Sequence, residues 1–136
     1  MSAGTGVRHS EINQYDEDVH LFQIWIIPNV KDAEPTYQQI QLDPKDAPNQ
    51  WHLIAGPNEN APMHLRQDAE VKTAVLEAGQ SLDLNKTQTF NYIHVVEGEV
   101  EIAGQIVKTG DALMFDENST VKANQNTQMI WFDLPR

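Results

Sequence analysis

The 136-residue chain contains no cysteine, which removes disulfides, thiolate metal sites and cysteine nucleophiles together. Any bound metal must rest on histidine and carboxylate. Positive charge is also scarce, with 9 Lys and Arg against 20 Asp and Glu and a formal net charge of −11. The basic residues stand singly along the chain, so neither a nucleic-acid backbone nor an anionic membrane surface meets an attractive field. The acidity reads as solubility. Long apolar runs are missing too: "VHLFQIWIIP" at 19–28, the longest, is about half of a bilayer span and contains His20 and Gln23. It is expected to be a buried strand. No basic segment followed by an apolar stretch opens the chain, so no signal peptide is expected and the predicted compartment is the cytoplasm. The length suits one domain with a core, or one domain and a fragment of another.

What is present has the period of β-strands. Pro and Gly interrupt the sequence at short intervals, as an all-β sandwich or barrel requires. Helix has little room: in "DPKDAPNQ" at 43–50 Asp43 can cap and Pro44 can start a turn, but Pro48 limits it to a 3₁₀ turn at most. In "VVEGEVEIAGQIVKTGDALMF" at 95–115, Gly98, Gly104 and Gly110 recur every six residues. Positive φ at each glycine predicts a β-meander, with Val100, Ile102 and Ile106 facing inward. One β-barrel over 33–136 is expected to bury Ile93, Val95, Val100, Ile102, Leu113, Phe115, Ile130 and Phe132. "QIWIIP" at 23–28 and "MIWFDLP" at 129–135 echo each other. They are either the equivalent last strands of two similar units or simply two buried strands. On the first alternative, residues 1–32 end one barrel and lead into a second.

The histidines carry the candidate chemistry. In "GVRHSE", His9 and Glu11 are two apart, so on a strand both face one ion while Ser10 faces away. An imidazole and a carboxylate suit a divalent first-row metal. Two solvated polar residues are the alternative. His20, between Val19 and Leu21, is expected to be buried and hydrogen-bonded to backbone. His52 and His64 have no spaced partner, and His94 shares a strand face with Phe90, Tyr92 and Val96 as a core or cavity-lining residue. Phosphate loops, nucleophile elbows and Walker motifs are absent.

Taken together, "MSAGTGVRHSE", "HLFQIWIIP", "PTYQQ" and the closing "FDLP" resemble the pirin family. Pirins are bicupins, two jelly-roll barrels packed face to face with iron in the first, and the resemblance covers the later part of that plan. It implies that residues 1–32 are the last strands of the N-terminal cupin with a linker, and 33–136 the C-terminal cupin. By the family pattern His9 and Glu11 are two metal ligands, while a His-x-His pair lies in a preceding stretch of about two fifths of a full-length member. No His-x-His occurs in this chain, and an open reading frame begun at an internal Met is one way such a sequence arises. The second barrel is expected to be metal-free, because Lys86, Thr87 and Gln88 stand in "LNKTQTFNYIH" and no histidine follows Gly110 and Asp111 in "GDALMFDENST".

The resemblance implies a quercetin 2,3-dioxygenase-type reaction on a flavonoid-like molecule, with Fe²⁺ or another divalent metal, His9 as ligand, and Glu11 as ligand and catalytic base. With half the ligands absent, the expectation for this chain alone is weak metal binding and no activity. The alternative is a regulatory cupin module that works through protein contacts, as eukaryotic pirins do with transcription factors. A homodimer is expected through the N-terminal strands, whose apolar faces and backbone groups seek a partner.

Overall fold

The computed structural model describes residues 1–136. Regular strands begin at residue 52: β1 (His52–Gly56), β2 (Met63–His64), β3 (Glu70–Leu76), β4 (Ser81–Leu84), β5 (Phe90–Glu97), β6 (Glu99–Ile102), β7 (Gln105–Lys108), β8 (Ala112–Phe115), β9 (Ser119–Ala123) and β10 (Thr127–Leu134). Ahead of them is a single 3₁₀ turn at Pro44–Asp46. Its Asp43 side chain accepts from the Lys45 amide at 2.9 Å, as the Asp-Pro pair predicts. No helix is long and apolar enough to cross a membrane.

The strands form two sheets, ordered β2-β1-β3-β10-β5-β8 and β4-β9-β6-β7. All pairings are antiparallel except the short parallel contact of β1 with β2. The architecture is all-β, a jelly roll of two sheets closed over one main core. From the six-stranded sheet that core takes Ala74 and Leu76 of β3, Ile93 and Val95 of β5, and Met129 and Trp131 of β10. From the other sheet it takes Leu84, Val100, Ile102, Val107, Val121 and Ala123.

Register decides which face of each strand is inside. Met129 lies opposite Ala74 and Val95, and Trp131 opposite Lys72 and Ile93, so the odd-numbered side chains of β10 enter the barrel. Ile130 and Phe132, expected inside, therefore point the other way. They pack with Ala55 and Val71 in a smaller cluster on the outer face of the six-stranded sheet. Both faces of β10 are apolar, and alternation cannot choose between two apolar faces. The same correction applies to β7, where Val107 is buried and Ile106 is exposed. The hairpin from β6 turns on Ala103 and Gly104, with φ of 49° and 76°, and this two-residue turn sets Val107 opposite Val100. Of the remaining expected core residues, Ile93, Val95, Val100 and Ile102 are fully buried, and Leu113 and Phe115 are half-buried against the core.

The expected strand at 19–28 does not form. Residues 1–51 contain no strand, only a bridge between Ser2 and Thr36. Trp25 and Ile27 are each 83% exposed, so of the two Ile-Trp segments only the second is a strand. A strand needs a neighbour for its amides, and residues 19–28 have no partner strand within this fold.

Gly98, Gly104 and Gly110 all take positive φ, and at Gly98 close approach adds to the conformational demand. The Asn126 carbonyl and the Thr127 side chain fill the space a β-carbon would need, whereas nothing lies near the equivalent position of Gly104. Gly98→Ala should therefore cost about 2–4 kcal/mol, from left-handed strain plus overpacking, and Gly104→Ala about 1 kcal/mol from strain alone. Urea denaturation of both variants checks this, and equal losses would show that the close approach carries no weight.

Candidate functional site

Parts of residues 1–29, chiefly residues 21–28, border the outer face of β1, β3 and β10 and are held at a few points. The Thr5 amide donates to the Ala33 carbonyl at 3.0 Å and the Asn29 amide to the Arg66 carbonyl at 2.8 Å. Gln67 Nε2 donates to the Ile27 carbonyl at 2.9 Å, and Ile26 packs onto the outer cluster of Ala55, Val71 and Phe132. The gap between segment and sheet is a cleft of about 760 Å³ whose walls include Ile24, Ile26, Leu65, Val71 and Ile130, together with His9, Glu11 and Arg66. His9 and Glu11 are not on a strand. Their side chains nevertheless meet, with Nδ1 of His9 3.3 Å from Oε1 of Glu11 and side-chain exposures of 36% and 65%.

The other histidines do not join them. His20 is exposed rather than buried among its apolar neighbours, because the segment that carries it never enters a sheet. Its ring packs on Phe22 at 4.7 Å, and Phe22 meets His94 edge-on at 5.3 Å. His20, Phe22, Ile54, Thr73 and Ile130 line a second, smaller cleft of about 500 Å³. His94 is half-buried on the outer face beside Tyr92 and Val96, not in the main core. Nε2 of His52 is 2.7 Å from the Ala47 carbonyl, and His64 is exposed. Nowhere do three His, Asp or Glu side chains converge as a metal cage.

Inside the barrel, one end of the core is polar. Asp133 is fully buried, and its Oδ2 accepts from the Thr87 amide at 2.7 Å and the Thr87 hydroxyl at 2.8 Å, while Oδ1 accepts from the Gln88 amide at 2.9 Å. Beside it, buried Asn91 accepts from Nε1 of Trp131 at 2.8 Å. Lys72 lies 4.5 Å over the Trp131 ring and pairs with Glu70 at 2.7 Å. These contacts satisfy one another. The loop containing Lys86, Thr87 and Gln88 is thus tied down by a buried carboxylate, and it presents no imidazole to the barrel interior.

Residues 53–134 match the quercetinase C-terminal cupin domain. The chain belongs to the pirin family. It is 36% identical over 140 residues to the quercetin 2,3-dioxygenase of Escherichia coli K12, covering 99% of this chain and 59% of that relative. It is 29% identical to a pirin-like protein of Caulobacter vibrioides, over 98% of this chain and 60% of the other. The chain thus spans about three fifths of the length of these curated pirin relatives. Its fold superposes on the crystal structure of YhhW from Escherichia coli with a TM-score of 0.73 and 25% identity, over 82% of this chain and 48% of that one. A crystal structure of the bacterial pirin YhhW contains nickel(II) and has the same TM-score at 24% identity.

The donor set of this pirin-family chain fits such a metal only in part. His9 and Glu11 offer the right atoms close together, but two donors fall short of the three or four protein ligands that hold a divalent ion firmly. Arg66 and the cleft on the outer face had no counterpart in the sequence pattern. The available signal was β10 itself, apolar at Ile130 and Phe132 as well as at Met129 and Trp131.

The polar end of the barrel carries its own expectation. Asp133→Ala leaves three donors without an acceptor and should cost about 2–5 kcal/mol, while Asp133→Asn keeps an acceptor oxygen and should cost less. Urea denaturation followed by Trp fluorescence reads both, and an undiminished midpoint for Asp133→Ala would show that the loop does not depend on this carboxylate.

Proposed function

We propose that this chain serves as the cupin part of a quercetin 2,3-dioxygenase-type oxygenase acting on a flavonoid-like phenol. Residues 1–32 end a preceding cupin and 33–136 form the C-terminal one. His9 and Glu11 supply two ligands of an Fe²⁺ or similar ion whose other ligands come from outside these residues. Glu11 also acts as the base for the phenolic proton: Oε1 lies beside His9 and leaves Oε2 as a second acceptor. The observation supporting this reading is the 3.3 Å approach of His9 and Glu11 at the wall of a largely apolar cleft, together with relatedness to a quercetin 2,3-dioxygenase.

The isolated chain should retain much less than one metal ion after dialysis against a chelator, measured by elemental analysis. One firmly held ion per chain would overturn the two-ligand count. Extended by the portion of the Escherichia coli relative that it does not span, the chain should consume quercetin. His9→Ala and Glu11→Gln should each lower that rate by about 100-fold or more, in the range of lost acid–base and metal-site function. Undiminished turnover by both variants would remove the two residues from the site.

A second reading rests on a different observation. Leu21, Phe22, Ile24, Trp25 and Ile27 are all exposed, from 42% to 83%, in one continuous stretch beside a half-covered apolar sheet. Exposed apolar patches of this kind mark association surfaces, and a second copy of the chain, meeting it about a two-fold axis, is the partner we infer. Light scattering should show a dimer for the parent chain and a monomer for Trp25→Ser combined with Ile27→Ser; the same mass for both would end this reading.

A further inference from the structure

The two sheets end on four edge strands, β2 and β8 in one and β4 and β7 in the other. An open edge presents a row of unpaired amides and carbonyls, which proteins blunt with short strands or charged side chains. Three of the four are blunted in this way: β2 has two residues, β4 carries Asp83 and β7 ends on Lys108. The fourth is not. β8 reads Ala-Leu-Met-Phe from Ala112 to Phe115, it pairs with β5 alone, and no backbone hydrogen bond joins its other side to any part of the chain.

The side chains beside this edge continue its apolar character. Met114 is 75% exposed and lies opposite Tyr92, which in turn lies opposite Phe132 with ring centroids 5.8 Å apart. Phe90, two residues before Tyr92 on the same face of β5, is also exposed. The N-terminal segment meets this face through Ile26 on the cluster of Ala55, Val71 and Phe132, and through Phe22 on His94. It makes no hydrogen bond to β8.

The charges at the ends of the strand restrict what can pair with it. Asp111 precedes β8, Asp116 and Glu117 follow it, and all three are exposed and outside any ion pair. Two lysines have backbone close by. Lys108 pairs with Glu99 at 3.5 Å, and Lys86, whose amide donates to Oδ1 of Asn118 at 3.2 Å, forms no ion pair. A second copy added about a two-fold axis would set Asp111 opposite Asp116 of the copy, twice over, and like charges facing each other across a strand pair are destabilising. A strand with basic residues at its ends meets the opposite situation.

We propose that β8 accepts an extended segment of a basic partner protein as an added antiparallel strand. The partner's backbone pairs with the open edge, its apolar side chains pack on Met114 and Tyr92, and its Lys or Arg residues lie beside Asp111, Asp116 and Glu117. The site is at the far edge of the sheet from β1 and is independent of His9, Glu11 and any metal.

The test uses the full chain at low ionic strength and three fluorescein-labelled peptides read by fluorescence anisotropy. These are KKVIVTKK, its acidic counterpart EEVIVTEE, and KKVPVTKK, whose proline removes a ladder amide. KKVIVTKK should bind with a Kd about tenfold or more below either of the others. Met114→Lys, which gives the edge the charge it lacks, should raise that Kd about tenfold. Asp116→Lys combined with Glu117→Lys should remove the preference for KKVIVTKK over EEVIVTEE. Equal affinity for KKVIVTKK and KKVPVTKK overturns the proposal, because charge without strand pairing would then account for binding. So does a Met114→Lys variant, folded by circular dichroism, that binds as the parent does. A parent dimer that Met114→Lys converts to a monomer would seat a second copy on β8 and overturns it as well. If Met114→Lys does not fold, the three peptides compared on the parent and on the variant at Asp116 and Glu117 decide.

Discussion

The structure depends on β10, a strand that is apolar on both sides and paired on both edges. It lies between β3 and β5, and its odd-numbered side chains, Met129 and Trp131, are part of the core between the two sheets. Its even-numbered ones, Ile130 and Phe132, belong to the outer cluster. Each large side chain taken out of water contributes about 1.5–3 kcal/mol, so the interior face stabilises the barrel while the outer face creates a second demand for cover. The short contacts of residues 1–31 answer that demand only partly: Ile26 packs down while Trp25 and Ile27 stay in water. Both clefts and the pairing of His9 with Glu11 arise where this loosely held segment meets that face.

The barrel interior tells a different story about chemistry. Its polar end is closed by protein groups that satisfy each other, with Asp133 on the 87–88 loop, Asn91 on Trp131, and Lys72 on both Glu70 and the indole ring. A ligand entering there would have to displace bonds made to a fully buried carboxylate, at a cost of several such interactions. His9, Glu11 and Arg66, which have unspent bonding capacity, are all outside the barrel.

Much of the fold was legible because it rests on local rules. The glycines at 98, 104 and 110 stand at positive φ as their spacing requires, and the Asp-Pro turn at 43–44 forms as its capping chemistry requires. Ile93, Val95, Val100 and Ile102 each follow a polar residue (Tyr92, His94, Glu99 and Glu101) and are fully buried. Ile130 and Phe132 fall on the outer face and Val107 rather than Ile106 is inside, and alternation is silent here because consecutive residues are all apolar; only pairing register separates them. The 19–28 segment has the composition of a strand and lacks a neighbour, a property of the whole fold rather than of ten residues. His9 and Glu11 were legible as a pair, but Arg66 was not, since an unpartnered guanidinium can be recognised only from what fails to surround it.

These two kinds of illegibility share a cause. Strand composition and donor type are local, whereas cover and satisfaction are relations between distant parts of a chain: Arg66 meets the segment through the Asn29 amide, 37 positions away in the sequence. The outer face of the six-stranded sheet is where such long-range relations remain incomplete. It has apolar area beyond what Ile26 covers and a metal-type pair short of a full shell. Two unmet demands on one face favour ligand or partner binding there over the packed interior, because an interaction that fills an existing deficit has no prior bond to break.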